Sequence, residues 1–321
     1  MNISLVIPVY NEQDNLPLLF DALYKTMNPL GKKWEVILVD DGSQDKTKTI
    51  LREFAEKDPE HVRMIALRRN YGQTAAIAAG LDYSSGDIIV LMDADMQNDP
   101  SDIPMMLAKL DEGYDLVSGW RKQRKDNAFT RNFPSMIANW VISRVTGVHL
   151  HDYGCTLKVY RRDVLEGFRL YGEMHRFIPV YANSVGANIT EVVVSHHPRK
   201  FGKTKYGLER TAKVILDLFT VKFLVSYASK PIYLFGGTGG LLMIISSVIM
   251  AYLFFRRIFF LVGVTGSPLF QTSVMFFILG FQSMLMGLIA ELLVRTYHES
   301  QAKPTYTIRT KINVTKRETS D

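Results

Sequence analysis

The sequence predicts an α/β domain on a mostly parallel sheet, followed by two membrane-spanning helices. Three observations predict it. Near-continuous apolar runs at Ile3–Val9, Trp34–Val39, Val62–Leu67 and Ile88–Met92 lack the alternation of a half-exposed strand and read as strands covered on both faces. Helix-like stretches separate them, the pattern of a parallel sheet with crossovers. Near the other end, Pro231–Phe255 and Ile258–Ala290 carry no Asp, Glu, Lys or Arg.

Taken in order, Ile3–Val9 leads into Tyr10-Asn11-Glu12, and Leu16-Pro17 opens a helix with Asp14 as its expected N-cap. Trp34–Val39 ends in Asp40-Asp41-Gly42-Ser43, with Gly42 for a tight turn and Ser43 or Asp45 capping a helix to Lys57. Val62–Leu67 precedes Arg68-Arg69-Asn70-Tyr71-Gly72 and an Ala-rich helix over Gln73–Tyr83. Ile88–Met92 stops at Asp93-Ala94-Asp95. Further strands are expected at Asp115–Gly119, Cys155–Tyr160 and Ile189–Ser195.

A membrane span needs about 20 apolar residues, so Pro231–Phe255 and Leu269–Val294 are each long enough. Arg256-Arg257 and Ser267-Pro268 mark the turn between them. Lys213, Lys222 and Lys230 precede the first span, and Arg295, Lys303, Arg309 and Lys311 follow the second. The excess of basic residues on that side puts the bulk of the chain and both termini in the cytoplasm. The expected division is a cytoplasmic catalytic domain at 1–204, an amphipathic interfacial helix at 205–230, two spans at 231–297 and a cytoplasmic tail at 298–321. In the interfacial segment, Ile215, Leu216, Phe219 and Phe223 lie against Arg210, Lys213 and Asp217, which suits a membrane surface.

Three of the predicted strands end in acids: Glu12, Asp40 and the Asp93/Asp95 pair. In an open α/β sheet these ends share one edge, where ligands bind. Asp93 and Asp95, with Gln97 two residues on, offer hard oxygen ligands for Mg2+ or Mn2+ shared with substrate phosphates. A plain Asx turn is the competing reading. No G-x-G-x-x-G follows the first strand and no G-x-x-x-x-G-K-[ST] occurs, which disfavours a dinucleotide fold or a P-loop.

The motifs V-I-P-V-Y-N-E (Val6–Glu12), V-D-D-G-S (Val39–Ser43), R-N-Y-G-Q (Arg69–Gln73) and D-A-D-M-Q (Asp93–Gln97) together resemble inverting family-2 glycosyltransferases of the GT-A fold. The likeness covers residues 1 to about 210 and is strongest to the polyprenyl-phosphate branch. That branch includes dolichol-phosphate mannose synthases, aminoarabinose transferases and bactoprenol glucosyltransferases. Two C-terminal spans joined by a short loop look most like the last group. The resemblance implies that Pro8, Tyr10, Glu12, Asp40 and Asp93 hold the nucleotide, and that Asp93, Asp95 and Gln97 hold the metal and diphosphate. It implies transfer of a sugar, glucose from UDP-glucose being the first expectation, to undecaprenyl phosphate in a bacterial inner membrane. Mannose or aminoarabinose donors fit the same chemistry.

Five basic residues, Arg121, Lys122, Arg124, Lys125 and Arg131, face one acid, Asp126, between 121 and 131. By the resemblance Arg121, Arg131 and Ser135 approach the acceptor phosphate, a planar bidentate task that suits arginine. Arg199-Lys200-Phe201-Gly202-Lys203-Thr204-Lys205 resembles the family's R-x-x-G-x-S-K loop, and Arg199, Lys203 and Lys205 join the acceptor set. Asp152, Gly154 and Lys158 match a further family element. Asp152 reads either as a residue orienting the acceptor or acting as base, or as a simple turn residue. Asp95, Asp152 and Arg121 are thus the catalytic candidates.

The charge balance, 38 Lys and Arg against 32 Asp and Glu, is modestly basic. Nucleic-acid binding fits poorly, because the basic residues gather toward the membrane. The single cysteine, Cys155, forms no internal disulfide and suits a reducing compartment. A processive polysaccharide synthase would carry a Q-x-x-R-W element and more spans. A silent nucleotide-sugar-binding scaffold would need only half of the paired sites. The alternating tail KPTYTIRTKINV reads as a strand that pairs within the subunit or with a neighbour; a homo-oligomer, a tetramer by resemblance, is the expectation.

Overall fold

In the computed structural model the described residues are 2–122, 139, 142–144, 146–165, 170, 174–198, 232–260, 263–264, 266–300 and 306–314. The chain divides into two compact units, Met1–Leu218 with Pro304–Asp321, and Phe219–Lys303.

The first unit holds an eight-stranded sheet. Its strands are β1 (Ile3–Val9), β2 (Trp34–Asp40), β3 (Val62–Leu67), β4 (Ile88–Leu91), β5 (Leu116–Trp120), β6 (Lys158–Arg161), β7 (Ile189–Val193) and β8 (Ile308–Ile312), in the order β7-β5-β6-β4-β1-β2-β3-β8. The pairs β1–β2, β1–β4, β2–β3 and β5–β7 are parallel. The pairs β4–β6, β5–β6 and β3–β8 are antiparallel. Every residue of β2 and β4 is buried, which is why their sequences do not alternate.

Helices cover the sheet. α1 (Leu16–Met27) buries Leu16, Leu19, Phe20, Leu23 and Met27, one face of a 3.6-residue period. Phe20 stacks on Phe54 of α2 (Thr47–Lys57). α3 (Gln73–Asp82) buries Ala75, Ala76, Ile77, Ala79 and Gly80, and its small residues let it sit close to β1 and β2. A Cβ on Gly80 would collide with the Val6 side chain. α4 (Ile103–Asp111) and the short α5 (Ile178–Ser184) complete the described cover.

Several boundaries depart from the sequence expectation. Asn15, not Asp14, precedes α1, and it makes no side-chain cap because its amide donates to Glu12 Oε2 at 2.7 Å. Lys46 precedes α2; Asp45 Oδ1 accepts from the Thr47 amide at 2.9 Å, while Ser43 Oγ is taken by the Asn11 amide at 2.9 Å. β5 starts after Asp115, whose carboxylate accepts from the Asn188 amide. β6 starts at Lys158 rather than Cys155, because the preceding residues form a turn around Asp152. β8 pairs with β3 of its own chain, Met64 opposite Ile312, the first of the two pairings expected of the tail.

The second unit contains α6 (Ile232–Phe260) and α7 (Pro268–Ser300). Phe235–Phe260 has a mean hydropathy of 2.0 over 26 residues, and Pro268–Ile289 has 1.8 over 22. At 1.5 Å per residue these stretches reach about 39 and 33 Å, enough to cross a hydrocarbon core. Arg256 and Arg257 do not form the turn; apolar Ile258-Phe259-Phe260 carries the helix past them, and Ser267 N bonds back to Val264 O at 3.0 Å. The helices pack through small residues. A Cβ on Gly239 would lie 2.5 Å from the Gly280 carbonyl, and one on Gly280 2.7 Å from the Gly239 carbonyl. Ser246 Oγ donates to Ser273 O at 2.7 Å and Ser273 Oγ to Ser246 O at 2.9 Å, bonds that hold helices together where apolar burial cannot.

Candidate active site

The registers bring one set of chain ends to a single edge. The parallel strands β1, β2, β3 and β4 leave the sheet there, with Val9 beside Asp40 and Asp40 beside Ala66. Leu91 pairs antiparallel with Lys158, and Ser118 does too, so β6 starts where β4 and β5 end.

The nucleotide candidates sit on interlocked loops. Asn11 takes a positive φ of 53°; its amide donates to Ser43 Oγ at 2.9 Å and its Oδ1 accepts from the Gln44 amide at 2.8 Å. The Glu12 amide donates to Thr47 Oγ1 at 2.9 Å. Pro8 and Tyr10 are half-buried at the end of β1. Asp40 is buried, and its Oδ1 accepts from the Ser43 amide at 2.9 Å. Gly42 has φ +72°, and a Cβ there would lie 2.5 Å from the Arg69 carbonyl carbon, so the loop after β3 rests directly on it.

Asp41 was not singled out by the sequence. It accepts from the Tyr71 and Gly72 amides at 2.7 and 2.9 Å and so ties the end of β2 to the loop after β3. Burial lifts its carboxyl to about 6, opposed by those two amides and helped by Asp40.

The D-A-D segment follows β4. Asp95 is buried, and its Oδ1 accepts from the Gln97 amide at 3.1 Å. Met96 between them has φ 58°. Asp93 is held on both oxygens: Gln73 Nε2 donates to Oδ1 at 2.6 Å and Thr156 Oγ1 to Oδ2 at 2.7 Å. Burial and the neighbouring Asp95 push the Asp93 carboxyl up to about 6, opposed by Thr156, Arg121 and Lys158. The next residues are clamped. Asn98 bridges to His196, the His197 amide donates to Gln97 O at 2.9 Å, and His197 Nε2 lies 2.9 Å from Asp99 Oδ2. The His196-His197 pair thus ties this segment to the residues after β7.

A basic centre lies alongside. Arg121, the first residue after β5, donates from Nε to Asp152 Oδ2 at 2.7 Å and from Nη2 to Asp152 Oδ1 at 3.0 Å. Asp152 is buried, and the Arg121 side chain is 16% exposed. Burial works against the Arg121 charge, but Asp152 outweighs it and raises the guanidinium pKa. Asp152 Oδ1 also accepts from the Gly154 amide at 3.1 Å, so both carboxylate oxygens are engaged. Lys158 is buried and donates to the carbonyls of Cys155 and Tyr153; burial brings its ammonium down to about 8. A Cβ on Gly154 would lie 3.3 Å from Arg121 Nη2 and 3.6 Å from Arg176 Nη1, so two guanidinium groups approach this glycine. His175, next to Arg176, bonds Thr74 Oγ1 of α3 at 2.7 Å.

The edge therefore unites Glu12, Asp40, Asp93, Asp95, Arg121 and Asp152. Arg131, Ser135, Arg199, Lys203 and Lys205 lie outside the described residues, as does the interfacial helix of 205–230. Asp41, Gln73, Thr156, His175 and Arg176 are additions from the structure. Thr156 has a signal in the register alone: with Leu91 opposite Lys158, two residues further along each strand place Asp93 opposite Thr156.

Among the described residues no three His, Cys, Asp or Glu side chains gather as a metal cluster. The acids still suit a divalent ion. Burial and the like charge of Asp95 push the Asp93 carboxyl up, a cost that a bound cation would relieve, and phosphate and water could supply the remaining ligands.

Residues 4–168 match the family model described as glycosyl transferase family 2. Over 312 residues the chain is 41% identical to a dodecaprenyl-phosphate galacturonate synthase of Rhizobium johnstonii, covering 96% of this chain and 92% of that protein. Over 314 residues it is 37% identical to an undecaprenyl-phosphate 4-deoxy-4-formamido-L-arabinose transferase of Pseudomonas aeruginosa, covering 98% and 91%. Among solved structures, glucosyl-3-phosphoglycerate synthase of Mycobacterium tuberculosis superposes with a TM-score of 0.51 at 20% identity, over 69% of this chain and 80% of that one, a likeness of fold.

Proposed function

The chain belongs to glycosyl transferase family 2 and has its GT-A fold, and on that premise we propose that it moves a sugar from a nucleoside diphosphate onto the phosphate of a polyprenyl phosphate at a membrane. The observation that carries this reading is the meeting of two arrangements at one sheet edge. The Asp93/Asp95 pair would hold a divalent cation with a diphosphate, and Arg121, paired beside it with the buried Asp152, offers a guanidinium to a second phosphate.

Pro8, Tyr10, Glu12 and Asp40 line the nucleotide seat. Asp95, with Asp93 and Gln97, would hold Mg2+ or Mn2+, which when bound neutralises charge on the leaving diphosphate. Arg121 grips the acceptor phosphate, joined by Arg131, Ser135, Arg199, Lys203 and Lys205. A phosphate oxygen of the lipid attacks the anomeric carbon from the face opposite the diphosphate. The new O–C bond forms as the bond to the diphosphate breaks, the electron pair leaves with the diphosphate, and the configuration inverts. A phosphate monoester has a second pKa of about 6, so this nucleophile is anionic at neutral pH and needs no general base. Asp152, engaged on both oxygens, orients Arg121 instead.

The donor is a nucleotide-activated sugar. Relatives matched along nine-tenths of their length are named for galacturonate and 4-deoxy-4-formamido-L-arabinose, which moves the donor toward these and away from the glucose first expected. The excess of basic residues outside the spans supports a cytoplasmic catalytic unit. The test is transfer of label from a panel of radiolabelled nucleotide sugars to undecaprenyl phosphate, with Mg2+ or Mn2+, followed by organic extraction. Label in the organic phase that is lost with EDTA supports the reading and identifies the sugar. UDP binding without transfer from any donor favours a nucleotide-sugar-binding scaffold.

A further inference from the structure

The Asp93 carboxylate has two partners of an uncommon kind for an acid packed beside another acid. Neither is a cation. Gln73, the first residue of α3, donates an amide N–H at 2.6 Å, and Thr156, two residues before β6, donates a hydroxyl at 2.7 Å. A lysine or arginine in either place would cancel the negative charge. Two neutral donors fix the orientation of the carboxylate without adding a positive charge. One comes from the helix after β3 and one from the turn before β6, so Asp93 is braced from two elements that the sequence separates widely. The brace acts against the repulsion between this carboxylate and the neighbouring Asp95.

We propose that Gln73 and Thr156 are positioning residues that set the affinity of the site for a divalent cation and nucleoside diphosphate by holding the Asp93 carboxylate in place beside Asp95. This rests on the transferase reading above. Partners that orient the groups around a metal typically matter by about 10- to 100-fold in metal affinity.

The experiment uses the full chain in detergent, with Mn2+ and UDP as probes. Bound Mn2+ is read from the loss of the free-ion EPR signal, and folding from the thermal midpoint. Gln73→Leu and Thr156→Val should each weaken Mn2+ binding in the presence of UDP by about tenfold or more. Thr156→Ser, which keeps the hydroxyl, should bind as the unsubstituted chain does, and the thermal midpoints should stay close together. Asp95→Ala is the reference for a lost ligand. Unchanged Mn2+ affinity in both Gln73→Leu and Thr156→Val, with binding lost in Asp95→Ala, overturns the inference and leaves the transferase reading standing. Equal weakening in Thr156→Ser and Thr156→Val overturns it too, since the hydroxyl would then not be the cause. If the unsubstituted chain binds no Mn2+ with UDP, the metal-dependent reading itself falls, and the inference with it.

Discussion

Arg121 and Asp152 form a two-point pair, Nε to Oδ2 at 2.7 Å and Nη2 to Oδ1 at 3.0 Å, with the aspartate almost completely buried. Removing one partner of such a pair leaves a buried charge uncompensated. Asp152→Ala should lower stability by about 3–5 kcal/mol, read as a drop in thermal midpoint. Asp152→Asn separates positioning from base catalysis. Residual transfer with an unchanged pH profile fits positioning, whereas a displaced acidic limb would make Asp152 the base.

Asp95→Ala should cut transfer by at least about 100-fold, the scale of losing electrostatic stabilisation of a leaving group. Transfer measured with saturating Mn2+ within tenfold of the unsubstituted chain would remove Asp95 from the metal site.

The Asp41 carboxyl is raised to about 6 in the folded chain. Between the ordinary aspartate value and 6, the folded state therefore holds a proton that the unfolded state has lost. This contribution to stability is fully present below the ordinary value and is lost as pH rises through 6. Thermal midpoints from pH 4 to 7 should fall more steeply for the unsubstituted chain than for Asp41→Asn. Parallel curves would show that Asp41 titrates normally.

The helix pair of the second unit makes a paired prediction. Gly239→Val places a side chain against the Gly280 backbone, whereas a Cβ on Gly240 meets nothing within 4 Å. The first variant should lower the thermal midpoint in detergent, and Gly240→Val should not. Equal effects would mean that helix propensity, not close packing, decides.

The Tyr306 hydroxyl donates to Asp82 Oδ2 at 2.6 Å and anchors the approach to β8. Tyr306→Phe should cost about 1–3 kcal/mol, because it removes a hydrogen bond to a charged group. Chemical unfolding of the variant checks this; no loss would mean that the strand pairing alone holds the tail.

Much of this was legible in the sequence for a simple reason. β1 and β3 begin and end as predicted, since a largely apolar run that stops at polar residues marks a buried strand at both ends. Asp93 and Asp95 were found by the same logic, as acids at a strand exit. What escaped depends on partners distant in sequence. Asp40 and Asp41 are neighbours of one residue type, and only the fold shows that Asp41 holds the Tyr71–Gly72 loop. Thr156 reaches Asp93 through an antiparallel register that no local pattern encodes. The turn around Asp152 delays β6 to Lys158, although Cys155 and Leu157 are as buried as strand residues.

β8 bears on how the protein is made. The β3 edge is closed by residues 308–312, which leave the ribosome only after both long apolar helices. Until those residues emerge, the nascent sheet carries an open row of backbone donors and acceptors beside Ala66 and Leu67. A message cut short after the second apolar helix would thus yield a chain with every D-A-D and Arg121 contact encoded, yet with an adhesive sheet edge that a quality-control protease or a second nascent chain can recognise.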